Sequence, residues 1–288
     1  MSFSLEVEGI KTLLFTFLDK NPKLEEILQH ALENRPVDLS QLLARPNSRI
    51  QFYKLLSARN IDEVSNVLVE IEKAELDEVY RLLPLELRNY MKTFLLFYDM
   101  DLLYSSLVMK SSPRLLFSTA NELEELCRGE PKATCIIMQV LKRARDALNK
   151  WSQRVPSPED VTRTLSCLAV FSIVKFYRYV LNAEKLSLVP DEDKEHFIRR
   201  VIDYYVPKNP TSRFILSKLD DILSNVESSF SRDPSRVLLY EAKYLYGFFK
   251  EILQYSTQAV DLLTLYLINR YYELFVLRYS LPQSRVFR

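Results

Sequence analysis

The chain has 288 residues, 48% of them hydrophobic, and its 39 basic and 38 acidic side chains leave a net charge of +1. That balance gives no global electrostatic reason to bind nucleic acid or an anionic membrane. Only three glycines are present, Gly9, Gly129 and Gly247, where an average protein of this length carries about twenty; phosphate loops and dinucleotide fingerprints need clustered glycines, so nucleotide binding through such a loop is excluded and a hairpin-rich β fold is disfavoured.

From the N-terminus, Glu6 and Glu8 stand where a signal peptide would carry basic residues, so no leader is read there. Ile10, Leu13, Leu14, Phe17 and Leu18 keep a helical period, and shorter helices are predicted to fill residues 3–112. Further on, the spacing predicts long helices over 131–154, 158–185, 209–231, 234–256 and 258–280. The patterns Ile136, Val140, Leu141, Ala144, Leu148 and Leu216, Leu219, Leu223, Val226, Phe230 carry two of them. Prolines mark helix starts: Asn21-Pro22, Ser157-Pro158, Asn209-Pro210 and Asp233-Pro234 each put a capping side chain before a proline at the first helical position. Ser157…Asp160 and Asn60…Glu63 add capping-box-like spacing.

Gly129 falls in a turn between two predicted helices, where a C-cap is its natural role. Gly247 falls inside an aromatic helix, and close approach of another helix would explain it. Two segments, 167–181 and 259–279, are apolar or aromatic nearly all round. Such helices are central to a core or covered by a partner. Neither apolar run within them, Cys167–Val174 or Ala259–Ile268, reaches the ~20 residues that span a bilayer. The three cysteines, Cys127, Cys135 and Cys167, are odd in number and lack a Cys-x-x-Cys pair. They read as free thiols of a reducing compartment.

Chemistry-bearing patterns are sparse. His196 ends a single Asp193-Lys194-Glu195-His196 run, and a di-iron bundle needs that motif twice. His30 follows Glu26 on a solvated face. Asp220-Asp221 suggests a diphosphate-holding helix, but Ser224 stands where a further carboxylate would be needed. Basic residues cluster at Lys142, Arg143, Arg145, Lys150 and Arg154 and at Arg199-Arg200, while Lys175-Phe176-Tyr177-Arg178-Tyr179 alternates cations with rings that could stack on bases. No nucleophile–histidine arrangement is suggested. The expectation is an all-α, non-enzymatic interaction protein with no catalytic, cofactor-binding or metal-ligating residues. It is a single domain over 1–288, with approximate sub-segments 1–112, 113–189 and 190–288.

Three stretches, beginning at Phe97, Val170 and Leu265, align without gaps. Each has an aromatic at its second position (Tyr98, Phe171, Tyr266) and tyrosine six residues later (Tyr104, Tyr177, Tyr272). Two apolar residues then follow three and four positions on (Leu107-Val108, Val180-Leu181, Phe275-Val276). In the third, Arg270, Glu273, Leu274, Leu277 and Arg278 precede Leu281-Pro282; in the first, Asp101 and Lys110 hold matching polar positions; and Leu55–Val64 looks like an early helix pair. On these residues the chain resembles the family of C-type (also called d-type) central-stalk subunits of archaeal and vacuolar-type rotary ATPases. That family is all-helical, built from three related segments, with repeats reading Lys-x-x-Glu-[Ile/Leu]-x-Asn-Leu-Arg or Asp-x-x-Asn-Leu. The chain departs from it at Tyr104 and Val276, which replace asparagine, and at Tyr279-Ser280, where a glycine commonly stands.

The resemblance implies a funnel-like socket at the cytoplasmic face of a membrane. It would join the central rotor axle to the membrane ion-carrying ring and have no transmembrane segment of its own. Asp101, Tyr104, Lys110, Arg270, Glu273 and Arg278 would be its repeat-defining or partner-binding residues. The alternative from a different class is a helical, nucleic-acid-associated scaffold within a multiprotein complex.

Overall fold

The structure, a computed structural model, describes residues 3–19, 23–37, 54–55, 57–58, 61–109, 117, 120–127, 132–155, 159–185 and 192–280. The fold is all-α, with no strand among the described residues. In chain order the helices are α1 (Phe3–Leu18), α2 (Leu24–Leu32), α3 (Ile61–Leu82), α4 (Leu85–Met109), α5 (Ala120–Cys127), α6 (Ala133–Arg154), α7 (Thr162–Lys185), α8 (Lys194–Tyr205), α9 (Pro210–Leu216), α10 (Leu219–Arg232), α11 (Val237–Leu253) and α12 (Ala259–Ser280).

Local chemistry sets many of these boundaries. Asn209 accepts a hydrogen bond from the Ser212 amide with Pro210 at the helix start, as its sequence predicts. Asp193 caps α8 by accepting from the amides of Glu195 and His196. Asp233-Pro234 behaves differently: it opens a 3₁₀ turn, Pro234–Arg236, in which the Arg236 amide donates to Asp233 O at 3.0 Å before α11 begins. The helix predicted over 209–231 is interrupted at Ser217-Lys218. There the Ser217 hydroxyl bonds Phe214 O at 2.7 Å and competes with the backbone ladder. Within residues 3–112, α1 and α2 are short, of 16 and 9 residues, whereas α3 of 22 residues and α4 of 25 are longer than the sequence pattern predicts. Pro84 is the sole proline between residues 61 and 109, so it makes the one break there.

Scarcity of glycine is met by asparagine at one helix end. Asn34 has φ 54°, the Arg35 amide reaches back to His30 O at 2.8 Å and the Asn34 amide to Ala31 O at 3.3 Å. This is a Schellman closure with asparagine in the left-handed position that glycine usually takes. Asn21-Pro22, Asn60, Ser157-Pro158, Lys110, Gly129, Leu281-Pro282 and the Tyr104 side chain lie outside the described residues.

The chain divides into two compact units, Met1–Leu83 with Leu238–Arg288, and Pro84–Val237. These boundaries differ from the sub-segments read in the sequence. In the first unit α12 is the hub, packing against α1, α2 and α3. It is buried on all sides, as its pattern predicts, and the cover comes from the chain's own helices. Three of its polar side chains bond internally: Ser256 donates to Asp261 at 2.6 Å, Thr264 to Val260 O at 2.7 Å, and Tyr272 to Glu241 on α11 at 2.8 Å.

In the second unit α7 is the hub, packing against α6, α8, α9 and α10, while α4 and α6 form the most extensive helix pair. The span Thr162–Glu184 is long and apolar enough to cross a membrane by length and composition alone. Its apolar window is 89% buried inside the protein, as in a core helix. Phe94 and Phe97 of α4 meet Phe171 of α7 at ring-centroid distances of 5.5 and 4.9 Å, and Phe176 meets Phe197 at 4.1 Å. Each such side chain, fully buried, contributes about 1.5–3 kcal/mol.

Two expectations are corrected. Cys127 and Cys135 are not free thiols: the end of α5 and the first turn of α6 lie with their Cα atoms 5.9 Å apart, and a disulfide joins them. Cys167 is the buried free thiol. Gly247 does not mark a close helix crossing, because it is exposed and a Cβ built there meets nothing within 4 Å.

Gly247→Ala is therefore expected to raise unfolding free energy by about 0.5–1 kcal/mol in chemical denaturation, through helix propensity alone. Reducing the Cys127–Cys135 bond, whose partners are 8 residues apart, is expected to lower it by about 2.5 kcal/mol on the loop-entropy scale. Paired denaturation curves with and without reductant measure this.

Candidate functional site

The most unusual chemistry lies inside the first unit. On α12, Arg270 and Glu273 stand three residues apart and share one helix face. Glu72 and Glu75 do the same on α3, which packs against α12. Arg270 Nη1 lies 2.7 Å from Glu273 Oε2 and 2.7 Å from Glu75 Oε2, while Nη2 pairs with Glu72. The four residues are between 1% and 5% exposed. Burial disfavours the charge on Arg270, yet Glu273, Glu72 and Glu75 together hold its guanidinium well above its ordinary pKa.

This cluster floors a cleft of about 790 Å³ bounded by α1, α2, α11 and α12. Phe17 of α1 packs on the Tyr266 ring, centroids 5.7 Å apart. Glu25 and Lys250 pair across the rim, and Asn269 donates to the Tyr246 hydroxyl at 3.0 Å. Tyr266 is 1% exposed, and its hydroxyl has no hydrogen-bond partner among the described residues. Burial pushes its phenol well up, with Arg270 pulling partly the other way. Among the described residues no group of three ligating side chains is placed to hold a metal ion.

Among the sequence-selected residues, Arg270 and Glu273 are brought together here. Arg278 is not part of the cluster: its guanidinium sits 6.0 Å over the Phe275 ring. Asp101 belongs to the second unit, where it pairs with Arg178 at 2.6 Å and Lys175 at 3.5 Å. Lys175 and Arg270 are each the sixth residue of their aligned stretches, Arg178 and Glu273 each the ninth. Corresponding positions thus carry buried ion pairs in both units. Glu72 and Glu75 were not selected. Their signal was two acids beside the apolar stripe Val64, Leu68, Ile71 and Val79.

The remaining patterns are ordinary. His196 is exposed and pairs with Glu192 at 2.7 Å, and His30 Nδ1 meets Pro36 O at 3.0 Å. Asp220 and Asp221 are exposed in the first turn of α10. Arg145 stacks on Tyr205 and donates to Tyr204 O, Arg154 pairs with Glu86, and Arg199 and Arg200 pair with Glu195 and Glu192. The base-stacking expectation for residues 175–179 is corrected. Lys175 and Phe176 are fully buried, Arg178 is committed to Asp101, and Tyr177 donates to Glu227 at 2.7 Å.

Removing the central cation takes away the guanidinium that the buried Glu72, Glu75 and Glu273 carboxylates share. Arg270→Met is expected to destabilise the protein by about 3–5 kcal/mol, read by chemical denaturation. Adding Glu72→Gln and Glu75→Gln to it should recover part of that loss.

No protein-family model, curated protein or solved structure matches this chain.

Proposed function

We propose that this chain is a non-catalytic socket subunit of an archaeal or vacuolar-type rotary ATPase, joining the central axle to the membrane ion-carrying ring at the cytoplasmic face. What carries the reading is the matching register of the aligned stretches. Their aromatic second positions, Tyr98, Phe171 and Tyr266, are all buried, and Asp101, Lys175, Arg178, Arg270 and Glu273 make ion pairs inside the two units. In the third stretch the Arg270-x-x-Glu273-Leu274-x-x-Leu277-Arg278 order of the family helix stands on the hub of its unit.

A torque-bearing part must resist bending. Long helices with interior ion pairs and almost no glycine supply that stiffness without chemistry of their own. The Cys127–Cys135 bond is of a kind rare in a reducing cytoplasm, so the proposed location is drawn from the socket role and not from the cysteines. The nucleic-acid reading has lost part of its best feature, since Lys175, Phe176 and Tyr177 of α7 are buried and Arg178 pairs with Asp101.

The test is affinity purification of the full chain from native membranes, followed by identification of what co-purifies. Recovery of axle and ring subunits is the expected result. Efficient recovery without any other part of the ATPase would overturn the proposal.

A further inference from the structure

We infer that the Cys127–Cys135 disulfide is a redox latch: a small-molecule thiol of the glutathione class opens it in the folded protein by attacking Cys127 and expelling the Cys135 thiolate, which frees α5 from α6. This goes beyond the socket reading and does not rest on it.

The first argument is access. Both cysteines are half-buried and line a surface depression of about 580 Å³ in the second unit, with Lys132 and Arg200 beside them. Thiol–disulfide exchange needs a thiolate to reach one of the two sulfurs, and the depression gives it room. Cys167 is fully buried, so it stays out of the exchange.

The second is the asymmetry of the bond. Cys127 is the last residue of α5 and Cys135 the third of α6. A helix N-terminus favours an anion and a C-terminus disfavours one. Lys132 stands at the cap position of α6, exposed and in no ion pair among the described residues, whereas Arg200 is already matched by Glu192 at 2.6 Å. Negative charge is therefore better held on Cys135 than on Cys127, and the sulfur with the more stable thiolate is the one that leaves.

The exchange then runs in two steps. The reductant's thiolate bonds to Cys127 Sγ as the protein disulfide breaks, and the electron pair departs on Cys135 Sγ. A second reductant thiolate attacks the first reductant's sulfur and leaves Cys127 as a thiolate. Two reductant thiols end as their disulfide, and the two cysteine sulfurs take up the two electrons and two protons.

The third argument is what the bond holds. α5 has eight residues, too few to be a stable helix alone. It packs on α6, and among its described side chains Leu126 is buried while Glu122 and Glu125 are exposed. The bond therefore carries much of the docking of α5. The Phe94, Phe97 and Phe171 group lies on α4 and α7, so the core of the unit does not depend on it.

The experiment treats the native full chain with glutathione without denaturant, traps thiols with iodoacetamide and locates them by mass spectrometry. Alkylation of Cys127 and Cys135 but not Cys167 is expected, with glutathione passing through Cys127. Hydrogen exchange on the reduced chain should show protection of residues 120–127 falling about tenfold or more, while residues 140–148 of α6 keep theirs. In the single-thiol variants Cys127→Ser and Cys135→Ser, the remaining Cys135 should react with iodoacetamide at neutral pH faster than the remaining Cys127. The gain is roughly threefold for each unit by which its pKa is lower, since extra thiolate outweighs lost nucleophilicity. Adding Lys132→Gln should narrow that gap. The wild-type measurements decide the matter even if a variant does not fold. Reduction that requires denaturant, glutathione carried on Cys135 instead of Cys127, or unchanged exchange over 120–127 after reduction would each overturn the inference.

Discussion

A helix that is apolar on every side has no face to give to water, so the chain must surround it. Two helices of this protein impose that demand, α7 in one unit and α12 in the other, and each unit is organised as the set of helices that meets it. The remaining helices then need only one apolar face each, which is what the patterns of α2, α6, α8 and α10 offer. Aromatic rings fill the wide spaces between helix axes, as in the Phe94, Phe97 and Phe171 group and the Phe17–Tyr266 pair.

Within these hubs the protein places charge where an apolar side chain would pack without a desolvation cost. Lys175 and Arg270 are buried near the middle of their helices, Lys175 held by Asp101 of α4 and Arg270 by Glu72 and Glu75 of α3. Pairs of this kind add little net stability compared with hydrophobic replacements, but they penalise any sliding of one helix along another, since a shift of one turn leaves a charge unpaired. That property suits a part that transmits force. The two clusters differ in balance. Asp101 faces two cations, whereas three carboxylates face Arg270 and an open cleft lies beside them.

Glycine scarcity acts on the same design from the other direction. With few residues free to adopt positive φ, chain reversals rest on other devices. Asn34 takes the left-handed position after α2, and Asp193 and Asn209 cap helix starts. The disulfide between α5 and α6 fixes one connection covalently. Gly247, by contrast, serves no packing need, since it faces open space.

The sequence by itself determined what depends on near neighbours along the chain. The all-α class followed from the missing glycines and the helical period, the start of α9 from Asn209-Pro210, and the need of α7 and α12 to be covered all round from their apolarity on every side. Each of these is set within a few turns of helix, where side-chain entropy, capping and periodicity act. Only the tertiary structure decided the rest. Glu72 and Arg270 lie 198 residues apart, and no local rule joins them. Cys127 and Cys135 are near in sequence, but their pairing depends on how the end of α5 meets the start of α6. Whether Gly247 met a helix or solvent, and whether Lys175 and Arg178 faced nucleic acid or Asp101, turned on which side of each helix the fold covered. Periodicity names the buried face, but only packing names what that face touches, because non-local contacts are chosen by the mutual fit of all the helices at once.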